Sequence, residues 1–133
     1  MRHLLDTHAF LWTVSQSKKL PQKARRAIED PDNLIFVSTV TFWEIAIKFR
    51  KGRLDLDGMQ PVDFVDKAAA MKIEVIHLEA EEAATVNNLI EDTHFDPFDR
   101  MLIWQAIYRD LILVSRDPEF KRFEPDGLKL IWK

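Results

Sequence analysis

The chain has 133 residues, 47% of them hydrophobic and 31% charged, the balance of one folded domain over residues 1–133 and not of a disordered segment. It contains no cysteine, which excludes disulfides, thiolate zinc sites and cysteine nucleophiles, and no apolar run reaches the roughly 20 residues of a membrane-spanning helix. With no apolar leader in MRHLLDTHAF either, a cytoplasmic protein that does not engage a membrane is the default expectation.

Short apolar runs alternate with longer amphipathic ones. His3–Leu5 is the first candidate strand, followed by a helix over Ala9–Ser15. A second helix spans Gln22–Glu29, with Pro21 in its first turn. The second strand is Leu34–Val37, and the helix Phe42–Lys51 follows with Thr41 as its N-cap and Gly52 at its end. Trp43 and Ile47 on that helix read as core neighbours. Pro61 introduces a helix over Val62–Met71, then come a strand at Ile73–His77 and a helix over Ala80–Glu91. Asp96-Pro97 reads as cap and first residue of a helix over Pro97–Arg109. The last strands are Leu111–Val114 and Leu128–Trp132, with Pro118, Pro125 and Gly127 punctuating the turns between them. Strands separated by helices imply parallel βαβ units, hence a three-layer α/β/α arrangement around a parallel sheet of four to five strands. The three glycines form neither a dinucleotide-binding nor a P-loop motif.

In open parallel sheets, ligands bind beyond the carboxyl ends of the strands. Asp6 follows the first strand, Glu44 lies in the helix after the second, and Ser115-Arg116-Asp117 follows the fourth. Asp96 and Asp99 begin the helix that leads into that fourth strand and share one face. Each has an ordinary reading: Asp6, Asp96 and Asp117 as caps, Asp99 as an acid favoured by a helix N-terminus, Glu44 as part of a solvated face. Together they place carboxylates from separate segments at one end of the sheet. Such a set repels itself unless a hard divalent cation binds it, and Mg²⁺ or Mn²⁺ shared between carboxylates and phosphate oxygens suits phosphodiester hydrolysis. The histidines are weaker candidates. His94 shapes a loop or meets substrate, whereas His3, His8 and His77 read as structural or surface residues.

The segments Leu4-Leu5-Asp6-Thr7-His8, Ser38-Thr39-Val40-Thr41-Phe42-Trp43-Glu44-Ile45-Ala46, Asp96-Pro97-Phe98-Asp99-Arg100-Met101-Leu102-Ile103 and Ser115-Arg116-Asp117-Pro118-Glu119-Phe120 closely resemble the PIN domain, in particular its VapC-type toxins, over essentially the whole chain. The resemblance implies a Mg²⁺- or Mn²⁺-dependent endoribonuclease, usually a homodimer, inhibited by a cognate antitoxin protein. By position it implies a catalytic and metal-binding quartet of Asp6, Glu44, Asp99 and Asp117, with Asp96 next in rank. Thr7 and Ser115 would assist from behind the acids, and Arg100 and Arg116 would steady a substrate phosphate or an antitoxin contact. Trp104 departs from the small residue that relatives often carry there, with an expected effect on packing or a dimer contact.

A phosphoryl-accepting receiver domain fits poorly, because Asp6 stands without a paired acid. A haloacid-dehalogenase-like phosphatase would need an aspartate where His8 stands. The remaining alternative is a catalytically inactive PIN-like binding or assembly module, and the retention of all four acids argues against it. Charge is unevenly distributed: nine basic against four acidic residues from Lys18 to Arg53, then two against twelve from Leu54 to Asp99. Lys18, Lys19, Lys23, Arg25 and Arg26 are therefore the expected electrostatic guide for an RNA substrate.

Overall fold

The computed structural model describes residues 1–133. Five short parallel strands form the centre: β1 (Arg2–Leu5), β2 (Leu34–Ser38), β3 (Glu74–Ile76), β4 (Ile112–Val114) and β5 (Lys129–Ile131), in the order β3-β2-β1-β4-β5. Six α-helices surround them: α1 (Thr7–Ser15), α2 (Gln22–Glu29), α3 (Thr39–Arg50), α4 (Asp63–Ala70), α5 (Ala80–Thr85) and α6 (Pro97–Tyr108). None is long and apolar enough to cross a membrane.

The strand alternation builds two cores, one on each face of the sheet. Leu5, Ile35, Val37 and Val114 point into the first, which α1, α2, α3 and α4 cover with Phe10, Ala24, Ile45 and Phe64. Leu4 and Leu113 point into the second, which α6 and the 3₁₀ turns of Pro118–Asp126 cover with Ile103, Phe120 and Phe123. The register sets Leu4 opposite Phe36 on one side and Leu113 on the other. The expected three-layer α/β/α architecture is present, with the parallel sheet at five strands.

Several boundaries differ from the sequence reading, each for a local reason. Helix α3 starts at Thr39, capped by Ser38, whose side chain accepts from the Val40 N–H. Thr41, expected as the cap, is fully buried within the helix. Trp43 is not core: it is 58% exposed and meets Phe98 edge-on, with ring centres 5.0 Å apart. Helix α5 ends at Thr85, well before Glu91. The Asp126 carboxylate captures the Ile90 and Glu91 N–H groups and draws the chain away from a helical path. Trp104 serves packing within the chain, where its indole N–H donates to the Thr85 hydroxyl at 3.0 Å and its ring lies against Tyr108.

A buried polar chain links three of these helices. The Ser38 hydroxyl donates to Gln105 Oε1 at 2.5 Å, and Gln105 Nε2 donates to Glu82 Oε1 at 3.2 Å. Arg109 completes it with hydrogen bonds of 2.5 and 2.9 Å to the two Glu82 oxygens. Gln105 and Glu82 are almost fully buried, so this pairing is what makes their burial tolerable. It also fastens α6, which carries Asp99, to the capping residue of α3, which carries Glu44.

Candidate active site

The strand order reverses direction between β1 and β4, and the crevice beyond their carboxyl ends is where an open α/β sheet offers a ligand site. Asp6 leaves β1 there and Ser115-Arg116-Asp117 leaves β4. Helix α3 runs back from β2 with Glu44 in its second turn, while α6 begins at the same end with Asp96 and Asp99. Asp6, Glu44, Asp96, Asp99 and Asp117 line one cleft of about 420 Å³, together with Thr7, His8, Lys48 and Arg116.

The helix ends that fix these acids also use them. Asp6 Oδ1 caps α1 by accepting from the Ala9 N–H at 2.8 Å. Asp96 Oδ1 caps α6 through the Asp99 N–H at 2.9 Å. Asp117 Oδ1 caps the following 3₁₀ turns through the Glu119 N–H at 2.9 Å, and the Ser115 hydroxyl accepts from the Asp117 N–H at 3.1 Å. Capping and lining the cleft are therefore compatible, because a carboxylate has more lone pairs than one cap consumes.

Glu44 is buried, only 3% exposed. The Thr7 hydroxyl donates to its Oε1 at 2.6 Å and lies 3.2 Å from the Thr41 hydroxyl, while Lys48, one turn on, forms an ion pair with Oε2. Partial burial disfavours the Lys48 ammonium, but the hydrogen bond and charge of Glu44 outweigh it and hold its pKa above the ordinary value. Asp6 is 7% exposed, and burial pushes its pKa up to about 7. The Ser115 hydroxyl and the Ala9 N–H pull the other way, while the charges of Asp99 and Glu44 add to the rise. Asp99 rises to about 6, again chiefly through burial, with His94 opposing and Asp96 and Glu44 reinforcing. His94 Nε2 sits 2.9 Å from Asp99 Oδ2.

Arg116 stands at the rim with its guanidinium 4.6 Å over the ring of Trp12. Arg100 does not line the cleft. It donates to the carbonyls of Glu91 and His94 at 2.8 and 2.9 Å and so holds the loop that presents His94. Arg25 is likewise engaged, donating to the carbonyl of Ser17 at 2.7 Å. Lys48 and His8 belong to the cleft although sequence reasoning did not select them. The spacing of Lys48 four residues after Glu44 on one helix was the available signal, and nothing comparable marked His94 as the partner of Asp99.

The cleft offers mostly carboxylate oxygens, with the His8 ring beside them, and two of the acids hold protons more tightly than ordinary carboxylates because their charges are buried together. That chemistry fits a hard divalent cation, which replaces protons as the neutralising charge. No three of the acids stand close enough to make a ready coordination cluster.

A family model described as PIN domain matches residues 3–124. Ribonuclease VapC22 of Mycobacterium tuberculosis (strain ATCC 25618 / H37Rv) is 26% identical over 129 residues, 97% of each chain. Among solved structures, VapBC2 from Rickettsia felis bound to a DNA fragment from their promoter contains a chain similar over its whole length and all of this one, with a TM-score of 0.74 and 19% identity. A chain of VapBC-1 from nontypeable Haemophilus influenzae matches with a TM-score of 0.60 and 17% identity, over 98% of this chain and 97% of its own. The family match takes in Asp6, Glu44, Asp96, Asp99 and Asp117 together with all of β1 to β4 except Arg2, and on that ground the chain belongs to the PIN domain family.

Proposed function

We propose that this protein is a metal-dependent endoribonuclease that hydrolyses RNA phosphodiester bonds and acts as the toxin of a toxin–antitoxin pair. The observation that carries the proposal is the meeting of five carboxylates from four chain segments in one cleft at the point where the strand order reverses. The likeness to a relative named as a ribonuclease, and to chains solved as VapBC assemblies, supports it.

On this reading Asp6 and Asp99 are the main ligands of Mg²⁺ or Mn²⁺, Glu44 and Asp117 bind directly or through water, and Asp96 is next in rank. A bound divalent ion of this kind lowers the pKa of water and offsets the charge that gathers on phosphate. The chain's own groups prepare the site. Thr7 and Lys48 hold Glu44 in one orientation, and His94 does the same for Asp99, in the way that outer partners orient ligating carboxylates. The Ser115 hydroxyl steadies Asp6 and the Asp117 N–H. Arg116 meets a substrate phosphate through charge-assisted hydrogen bonds. Arg100 acts through the loop carbonyls and not on phosphate. The partners of this reading are RNA, a cognate antitoxin protein and a second copy of the chain, in the cytoplasm.

The deciding experiment is incubation of a mixed RNA pool with purified protein and Mg²⁺ or Mn²⁺, beside EDTA and Asp6→Asn controls. Cleavage that vanishes with chelation and with the substitution is the expected result. Cleavage persisting in the variant would sink the assignment, and an absence of cleavage in metal-loaded, antitoxin-free protein would favour an inactive binding module.

A further inference from the structure

A cleft lined by five carboxylates repels a polyanion, so an RNA strand must reach it over a surface of opposite charge. A cavity of about 290 Å³ opens directly off the acidic cleft and shares Arg116, Asp117 and Pro118 with it. Its charged lining is Lys23, Arg116, Lys121 and Lys133 against the single acid Asp117. The other sizeable cavities lack this balance. The groove beside Trp12 sets Lys19 and Arg116 against Asp55 and Asp57, and the two remaining ones hold more acids than cations.

The cations of this groove come from distant parts of the chain: Lys23 from α2, Arg116 from the loop after β4, Lys121 from the 3₁₀ turns and Lys133 from beyond β5. Lys23 and Lys121 are exposed, and neither enters a salt bridge of the fold, so their charges are free to meet a ligand. Trp132 lies in the same groove, and its ring centre is 5.8 Å from that of Trp12, which carries the Arg116 guanidinium. A row of cations with an indole beside it is the surface that binds single-stranded nucleic acid, phosphates on the cations and bases against the ring.

We infer that this groove is the track for the unpaired RNA strand flanking the cleaved bond. Lys23 and Lys121 take backbone phosphates, Arg116 stands at the junction with the acidic cleft, and Trp132 offers its face to a base. The inference rests on the ribonuclease reading and adds the path by which the substrate arrives.

The test compares the wild-type chain with Lys23→Glu/Lys121→Glu and with Lys67→Glu/Lys72→Glu, an equal charge change beside β3 at the opposite edge of the sheet. Binding of a labelled single-stranded RNA oligonucleotide is followed by fluorescence anisotropy in chelator across a salt series, and cleavage kinetics are measured with Mn²⁺. The first pair should weaken binding about tenfold and lower the slope of log Kd against log salt by about 1.4, two phosphate contacts at about 0.7 each. KM should rise with kcat within about twofold, and the second pair should leave all of these unchanged. The milder Lys23→Ala/Lys121→Ala pair should move the same quantities in the same direction. Unchanged binding and slope in the Lys23/Lys121 variants, with wild type still cleaving RNA, would overturn the track and leave the nuclease standing. Equal losses in both Glu pairs would overturn it in favour of a general charge effect. A wild-type chain that neither binds nor cleaves RNA would remove both readings together.

Discussion

The proton held by Asp6 makes a quantitative prediction. Its pKa is about 7 in the folded protein against 3.8 for an ordinary aspartate, so between these values the folded state binds a proton that the unfolded state does not. Metal-free protein should therefore gain stability as pH falls through 7, with the gain complete below about 4. Asp6→Asn removes the buried charge and keeps the α1 cap, since asparagine accepts from the Ala9 N–H as well as aspartate does. At 1.36 kcal/mol per pKa unit, the buried ionised form costs on the order of 4 kcal/mol above pH 8. Relaxation of the neighbouring Asp99 relieves some of it, so the expected stabilisation of the variant is about 2–4 kcal/mol at pH 8, shrinking to less than half by pH 5. Urea unfolding of both proteins in chelator at the two pH values, followed by circular dichroism, measures it. A variant less stable than wild type at pH 8, or a difference independent of pH, would refute the reasoning. The same variant should lose RNA cleavage, which would make the site one where stability is given up for chemistry.

Other expectations follow from the same contacts. Mg²⁺ or Mn²⁺ at a hundred times its Kd should stabilise wild type by about 2.7 kcal/mol and Asp6→Asn by much less, as read from thermal melts; equal shifts would place the cation elsewhere. Thr7→Val strips Glu44 of its 2.6 Å hydrogen bond and should cost about 1–3 kcal/mol in urea unfolding. His94→Ala should lower kcat/KM about tenfold or more and weaken the apparent metal affinity, because Asp99 loses its orienting partner; unaltered metal titrations would assign His94 to packing alone. Arg109→Met leaves buried Glu82 unpaired and should cost about 3 kcal/mol or more, measured by the same unfolding assay.

Much of this was readable from residue order. The strand alternation of Leu4-Leu5 and Leu113-Val114 locates the sheet, the residues past its strands give Asp6, Asp117 and, in the helix after β2, Glu44, and the cap pattern of Asp96-Pro97 gives the acids that open α6. What escaped was whatever depends on a partner distant in sequence. Ser38 and Thr41 are both capping residues by type, and the fold selects Ser38, whose hydroxyl accepts from the Val40 N–H and donates to Gln105, 67 residues away. Gln105 and Glu82 look like surface residues until the helices close over them. Trp43 and Ile45 are both apolar, yet one faces solvent and the other the core. The expected basic stretch of Lys18 to Arg26 is likewise divided by the fold, with Arg25 tied to Ser17 and Lys23 gathered beside C-terminal cations.

The central place of β1 has a consequence for how the protein comes into being. Its partners are β2 on one side and β4 on the other, so the first of the five strands is completed only by one made roughly a hundred residues later. A ribosome has finished Asp6 long before Asp99 and Asp117 exist. The acidic cleft cannot close before β4 and Asp117 are made, and an interrupted translation product ending before Ile112 lacks both the strand that fixes Asp6 and the acid that follows it. Pairing across that much chain is slower than closing local contacts, so the acidic cleft takes shape only after the strands that frame it have met.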